Sequence, residues 1–367
     1  MTDTATGRLL SLDFLRGFIM VLLALESTYL YGHLLVLTED MRVLHSFFLQ
    51  FEHHPWNGLR FWDLIQPGFM FIAGTAMAFS LHRQKDQQVP WGEQFSKMLR
   101  RCVWLFFWGV LNYAVRPGGL SFELWNVLTQ LSFTLMVAFL IFSWSSAKQI
   151  TFSVSLLILT EILYRFVNIP GFDQPFTDQY NFGNYVDLLL MNKINADGWV
   201  AINCIPTAAH TIWGAVAGKL LLSTTDAAPK IKWLVLFGFI ALVLGYGMNY
   251  TTTPIIKRIA TSSFTLASGG WCLLGLAASY WWVDVRKQQR YLSLFTVVGM
   301  NSIFIYLFFE IVGHRWFNDY VGAITNGLMS MAHVPHGLML ILTSLCIFAL
   351  EWGLCYFLYT RRIFFKL

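Results

Sequence analysis

The chain has 367 residues, 56% of them hydrophobic and 17% aromatic, with only 12% charged, a net charge of +5 and a mean hydropathy of +0.55. Soluble domains carry about a quarter charged residues, so this composition excludes a soluble globular protein and points to a polytopic membrane protein. It also excludes nucleic-acid binding as the meaning of the positive charge, because the basic residues lie between apolar spans, where they set topology. Runs of about 20 apolar residues, read as membrane helices, predict an all-α bundle of about ten. They fall near 13–36, 62–82, 99–116, 124–144, 149–168, 199–222, 231–250, 262–283, 290–313 and 336–359. The long connections are 37–61, 169–198 and 314–335. The expected organisation is a single integral membrane domain over 1–367, with 1–10 as a short cytoplasmic tail.

Charge orients this arrangement. Of the 25 Lys and Arg, sixteen fall on one side, among them Arg100, Arg101, Lys219 and Arg286, and eight on the other, with Arg16 inside the first helix. The positive-inside rule then makes both termini cytoplasmic and turns all three long connections outward. The five cysteines are scattered without paired spacing, so neither a disulfide framework nor a metal site is expected.

In chain order, the first helix opens SLDFLRGF, which puts Asp13 and Arg16 three apart and within pairing reach. Glu26 and His33 lie seven apart on the same expected helix and so share a face. The densest polar stretch follows: His53, His54, Trp56, Arg60 and Asp63 precede an apolar span. Ionisable groups at the mouth of a membrane helix are a functional-site hypothesis by default. Asp63 sits on the first turn, where the helix dipole favours a carboxylate, and a histidine folded back onto it would gain a fixed tautomer and raised basicity. The alternative reading is a row of interfacial anchors facing headgroups. The sixth span holds Pro206 and His210 among small residues suited to close packing; a lone His of this kind is commonly a satisfied core residue. The ninth carries Asn301, Ser302, Tyr306, Glu310 and His314, while Glu161 and Glu351 stand isolated, as snorkelling or structural groups.

Four segments resemble, in order, the heparan-α-glucosaminide N-acetyltransferase family of membrane acetyltransferases and its bacterial relatives. SLDFLRG at 11–17 resembles the opening S-[LV]-D-x-x-R-G, and His53-x-x-Trp56-Asn57-Gly58 with Asp63-Leu64 and Pro67 resembles H-x-x-W-x-G…D-L-x-x-P. Asp197-Gly198 with IPTAAHTIWGAVAG at 205–218 resembles D-x-[EG]-G-[LW]…G-x-x-x-G. Gly299-Met300-Asn301-Ser302 through Tyr306 and Glu310 resembles G-M-N-S-[IL]-x-x-Y…E, and the segment from Pro254 to Lys257 also fits. Gln130 and Phe309 depart from the family, which has a basic residue and a His there.

The resemblance implies an acyltransferase-like membrane bundle that moves an acetyl group from cytosolic acetyl-CoA to an amino-sugar amine across the bilayer. It implies the histidine matching His53 as acetyl carrier or general base, with Asp63 close by. A bacterial inner membrane location and a homodimer are further expectations of this likeness. Acyl transfer suits a histidine, whose pKa lies near working pH. The thioester's developing oxyanion needs donors, for which Asn57, Asn301 and Ser302 are candidates. Arg16, Arg100, Arg101, Lys219 and Arg286 are candidates for the CoA side, although a topological role explains the basic residues equally well. His54, Trp56, His210 and Glu310 are assigned to the acceptor sugar. A rival from another class is a secondary transporter of a small sugar-like or anionic substrate, with Asp13, Glu26, Asp63 and Glu310 as its intramembrane sites. A membrane scaffold without chemistry would have no need of the His53–Asp63 pair.

Overall fold

The computed structural model describes residues 9–115 and 120–365. Most of the expected tail over 1–10, with Arg8, Arg116 and Lys366 of the charge count, lies outside the described residues. The described chain is helical without strands, apart from an isolated antiparallel bridge between Asn57 and Ile256. It forms two compact units, one of Met1–His53 with Ser279–Lys366 and the other centred on His54–Ala278.

The first unit begins with α1 (Leu10–Ser27), α2 (Leu30–Leu37) and α3 (Arg42–Phe48). The second holds α4 (Ile65–Asp86), α5 (Trp91–Ala114), α6 (Val127–Leu140), α7 (Ser146–Phe166), α8 (Phe182–Met191), α9 (Cys204–Leu222) and α10 (Ala227–Thr251). The chain leaves it through α11 (Ser262–Ser279) and a π-helical turn, and completes the first unit with α12 (Leu292–Met300), α13 (Ser302–Phe308), α14 (Asn318–Met331) and α15 (His336–Thr360). Among the described residues, each of the ten expected spans falls mostly on helix. By length and composition, four helices among the described residues can cross a membrane: Phe61–Asp86, Ser146–Phe166, Ala227–Thr251 and His336–Thr360. The number is six if each of two bent pairs is one span.

The bends correct the expected first and ninth helices. The first breaks by 64° between α1 and α2, at Tyr29, whose φ of 62° is left-handed. No Gly or Pro marks the place. Ser27 and Thr28 turn their hydroxyls back onto the carbonyls of Ala24 and Leu25 at 2.8 and 2.7 Å, a local bond that competes with the helix. The freed carbonyls of Ser27 and Thr28 accept from Asn318 Nδ2 and Ser344 Oγ at 2.8 and 2.7 Å, which satisfies them without water. Glu26 and His33 therefore do not share one helical face: Glu26 is exposed, and His33 bonds Ser344 Oγ at 3.0 Å. The ninth helix bends by 76° at Asn301 and then continues from Ser302 to Met331. The connection expected at 314–335 is thus mostly helix, because His314, Arg315 and Asp319 lower hydropathy without breaking a helix. A π-helical stretch, Phe309–Phe317, accommodates the polar change. The connection at 169–198 likewise contains α8, capped by Asn181 and too short to register as a span.

Close helix packing follows the small residues. An added Cβ at Gly74 of α4 would lie 1.9 Å from the Thr211 carbonyl oxygen of α9, and one at Gly214 would lie 2.0 Å from that of Phe71. Gly74→Val is expected to lower stability by about 1–3 kcal/mol through overpacking, read as a lower melting temperature in detergent. In the first unit the glycines of two sequence motifs meet, a Cβ at Gly299 falling 2.9 Å from Gly17 Cα.

Candidate active site

The division between the units falls at the His53–His54 bond, inside the densest polar stretch. His53 is exposed and Asp63 is fully buried. Asp63 lies on a 3-10 turn, Phe61–Leu64, that leads into α4. Its Oδ2 accepts the backbone amides of Arg60 at 2.9 Å and of His54 at 3.3 Å, so the carboxylate ties the start of the membrane helix to the residue after His53. Lys257 Nζ faces Asp63 Oδ1 at 3.6 Å, with the two side chains 8% and 1% exposed. A buried carboxylate requires such a partner. The lysine also stands over the Trp199 ring, 5.4 Å from its centroid.

The loop bearing Asn57 is held to the segment before α11 by the Asn57–Ile256 bridge and by Gly58 N–H donating to the Ile255 carbonyl at 2.8 Å. Trp56 is more than an interfacial anchor: its indole N–H donates to the Phe176 carbonyl at 2.8 Å, and its ring packs on the cluster of Tyr164, Val200, Ile256 and Ile259. Burial, followed by Arg60, pulls the His54 imidazole below its usual pKa, with Asp63 opposing. Asp187 of α8 joins two further segments, accepting from Trp125 Nε1 at 3.0 Å and from the Ala201 amide at 2.9 Å. Burial pushes its carboxyl up to about 7.

The remaining candidates divide between the units. In the second, Arg100 is exposed; Leu99 and Cys102 on either side of the Arg100–Arg101 pair line a cavity of about 480 Å³ with Gln130, Leu190 and Cys204, and the two arginines are not part of its wall. That volume suits a small-molecule group. Lys219 is engaged elsewhere, donating to the carbonyls of Phe142 and Trp144 at 2.6 and 3.0 Å, as basic side chains do at helix C-termini. His210 is completely buried, with Nε2 3.1 Å from the Thr265 carbonyl oxygen and 2.9 Å from Ser268 Oγ. It thus takes part in the packing of α9 on α11, the core role open to it from sequence.

In the first unit, Arg16 pairs with Asp13 at 3.9 Å, as their spacing predicts. Asn301 clamps the C-terminal segment: its Nδ2 donates to the Ile363 carbonyl at 3.0 Å, and its Oδ1 accepts the Phe365 amide at 3.1 Å. Arg286 lies over the Trp281 ring at 5.1 Å, while Ser302 and Glu310 are half-buried. Glu351 does not snorkel but is buried, whereas Glu161 is structural, pairing with Arg165 at 2.8 Å. Sequence reasoning passed over Asp284, whose carboxylate accepts the amides of Leu10 and Ser11 at 3.2 and 3.1 Å and so completes the N-terminus of α1. It also gave Lys257 no role in the site, counting it among the eight basic residues of the outward side and as the last residue of a matching segment.

These features define a helical membrane protein with a charged, hydrogen-bonded constellation at the mouth of one membrane helix. Comparison with curated proteins gives it relatives. Heparan-alpha-glucosaminide N-acetyltransferase of Mus musculus is 24% identical over 99% of this chain and 61% of its own length. The Homo sapiens protein of the same name is 24% identical over 98% and 60%. This is a distant family relationship extending over nearly the whole chain, in agreement with the motifs. The chain spans about three-fifths of the length of these relatives. No family model matches it.

Proposed function

We propose that the chain is a membrane acetyltransferase that moves an acetyl group from acetyl-CoA to the amine of an amino sugar on the opposite face of the bilayer. The observation that carries the reading is the matched H-x-x-W…D segment: Asp63, buried and ion-paired, fixes the backbone immediately after His53, within a likeness to N-acetyltransferases that covers nearly the whole chain. Ten membrane helices would place both termini in the cytoplasm and the His53 loop outside, in a bacterial inner membrane.

In this reading the His53 imidazole acts in one of two ways. As carrier, its nitrogen attacks the thioester carbonyl, the CoA thiolate leaves, and the acceptor amine then takes the acetyl group while its proton passes to solvent. As general base, it removes that proton while the amine attacks the thioester directly. Asn57 would donate to the oxyanion. The apolar cavity lined by Leu99 and Cys102 is the proposed place of the donor's pantetheine arm, with Arg100 and Arg101, which lie between those two residues in sequence, as the candidates for its phosphates. Purified protein given acetyl-labelled acetyl-CoA and glucosamine should yield labelled N-acetylglucosamine. Absence of labelled product from folded protein, with glucosamine and related amino sugars alike, contradicts the proposal.

A further inference from the structure

Around Trp56, three side chains hold buried polar atoms without a hydrogen-bond partner: His54 Nδ1, Arg258 Nε and Asp178 Oδ1. Arg258 Nη1 donates to the Pro55 carbonyl, and the Arg258 carbonyl accepts from Asn203 Nδ2 at 3.2 Å. Asp178 follows two residues after Phe176, which accepts the Trp56 indole N–H. Its Oδ1 and the edge of the indole converge on Gly198, where an added Cβ would lie 2.3 Å from Asp178 Oδ1 and 2.7 Å from Trp56 Cζ3. Gly198 has a φ of +77°, a conformation open to glycine at little cost. The His54 ring stands over Gly58 in the same way, with Nε2 2.4 Å from the corresponding point.

The charge of Arg258 acts on both Asp178 and His54, yet Nε and Oδ1 remain unmatched. Burying a donor, a carboxylate oxygen and an imidazole nitrogen without partners is unfavourable, and each such group calls for an explanation. A ligand that supplies the partners must both donate and accept. Asp178 opposes an anion and Arg258 opposes a simple cation, whereas a sugar hydroxyl does both jobs from one oxygen. The half-buried indole offers the apolar wall typical of such sites.

We propose that Asp178, Arg258 and His54, with Trp56 as the wall, form the subsite that grips the ring hydroxyls of the acceptor sugar, Asp178 and Arg258 determining its specificity. The assignment rests on the reading of the chain as an amino-sugar acetyltransferase, since it places the sugar beside the residue that follows His53.

The test is calorimetric binding of glucosamine without acetyl-CoA, to the wild type and to Asp178→Asn and Arg258→Lys. The expected result is a Kd raised at least tenfold in each variant, with unchanged KM for acetyl-CoA and kcat within a few-fold at saturating sugar. Unchanged glucosamine affinity in folded Asp178→Asn overturns the proposal. If a variant is poorly folded, the wild type with 3-deoxy- and 4-deoxyglucosamine decides: at least one must bind tenfold more weakly, and equal binding of both overturns the subsite. Wild type that binds glucosamine with these dependences yet transfers no acetyl group upholds the subsite and contradicts the acetyltransferase reading instead.

Discussion

Replacing His53 with alanine is expected to lower acetyl transfer by about 10²–10⁴-fold, the range that a positioned proton-transferring side chain supplies, while leaving the protein folded. The two halves of the expectation have separate causes. His53 is exposed, so its removal opens no core cavity, and surface substitutions of this kind change stability by only about 0.5 kcal/mol. The loss then falls on kcat, because in the proposed mechanism the imidazole acts on the reacting atoms. His54→Ala should behave differently: the imidazole packed over Gly58 is assigned by the proposal to the sugar subsite, and its loss should raise the KM for the acceptor. Steady-state kinetics on both variants, with melting temperatures alongside, separate the two histidines. Wild-type kcat in His53→Ala would remove that residue from the chemistry.

The second large effect concerns Lys257. Its replacement by methionine retains bulk but removes a cation 3.6 Å from the buried Asp63 carboxylate. Breaking a buried ion pair from one side costs about 3–5 kcal/mol, chiefly through the uncompensated charge left behind. A pronounced fall in melting temperature is therefore expected for Lys257→Met. Adding Asp63→Asn to Lys257→Met should recover part of the loss, because the remaining charge is gone and an amide oxygen can still accept from Arg60 or His54. Such non-additivity is the signature of a direct contact. A Lys257→Met variant as stable as the wild type, or a double variant as unstable as the sum of the singles, would show that the pair does not support this loop.

Much of this was legible in the sequence where one physical cause dominates. Hydropathy found helix in the expected spans among the described residues, although only four helices, or six with each bent pair as one span, are long and apolar enough to cross a membrane; helical spacing found the Asp13–Arg16 pair, and a carboxylate at a helix start found Asp63. What escaped depends on contacts distant in sequence. The break at Tyr29 is secured by Asn318 and Ser344 from other helices, so no local residue announces it. Lys257 meets Asp63 across nearly two hundred residues, and a lysine between apolar spans reads first as a topology signal. Asp178 lies in an irregular polar connection without periodicity, and only its approach to Gly198 and Trp56 gives it a role. Conversely, Lys219 and Asn301 are chemically capable of ligand binding but make backbone contacts in the fold.

The claim on which the account rests is that an acetyl group, and not the sugar, crosses the bilayer. Sealed proteoliposomes with acetyl-labelled acetyl-CoA confined to one face and glucosamine confined to the other, prepared in both arrangements, test it directly. The account predicts labelled N-acetylglucosamine on the glucosamine side, with acetyl-CoA retained where it was placed and production lost in His53→Ala. Glucosamine passing through the membrane unmodified, or product formed only when donor and acceptor share one face, would contradict it.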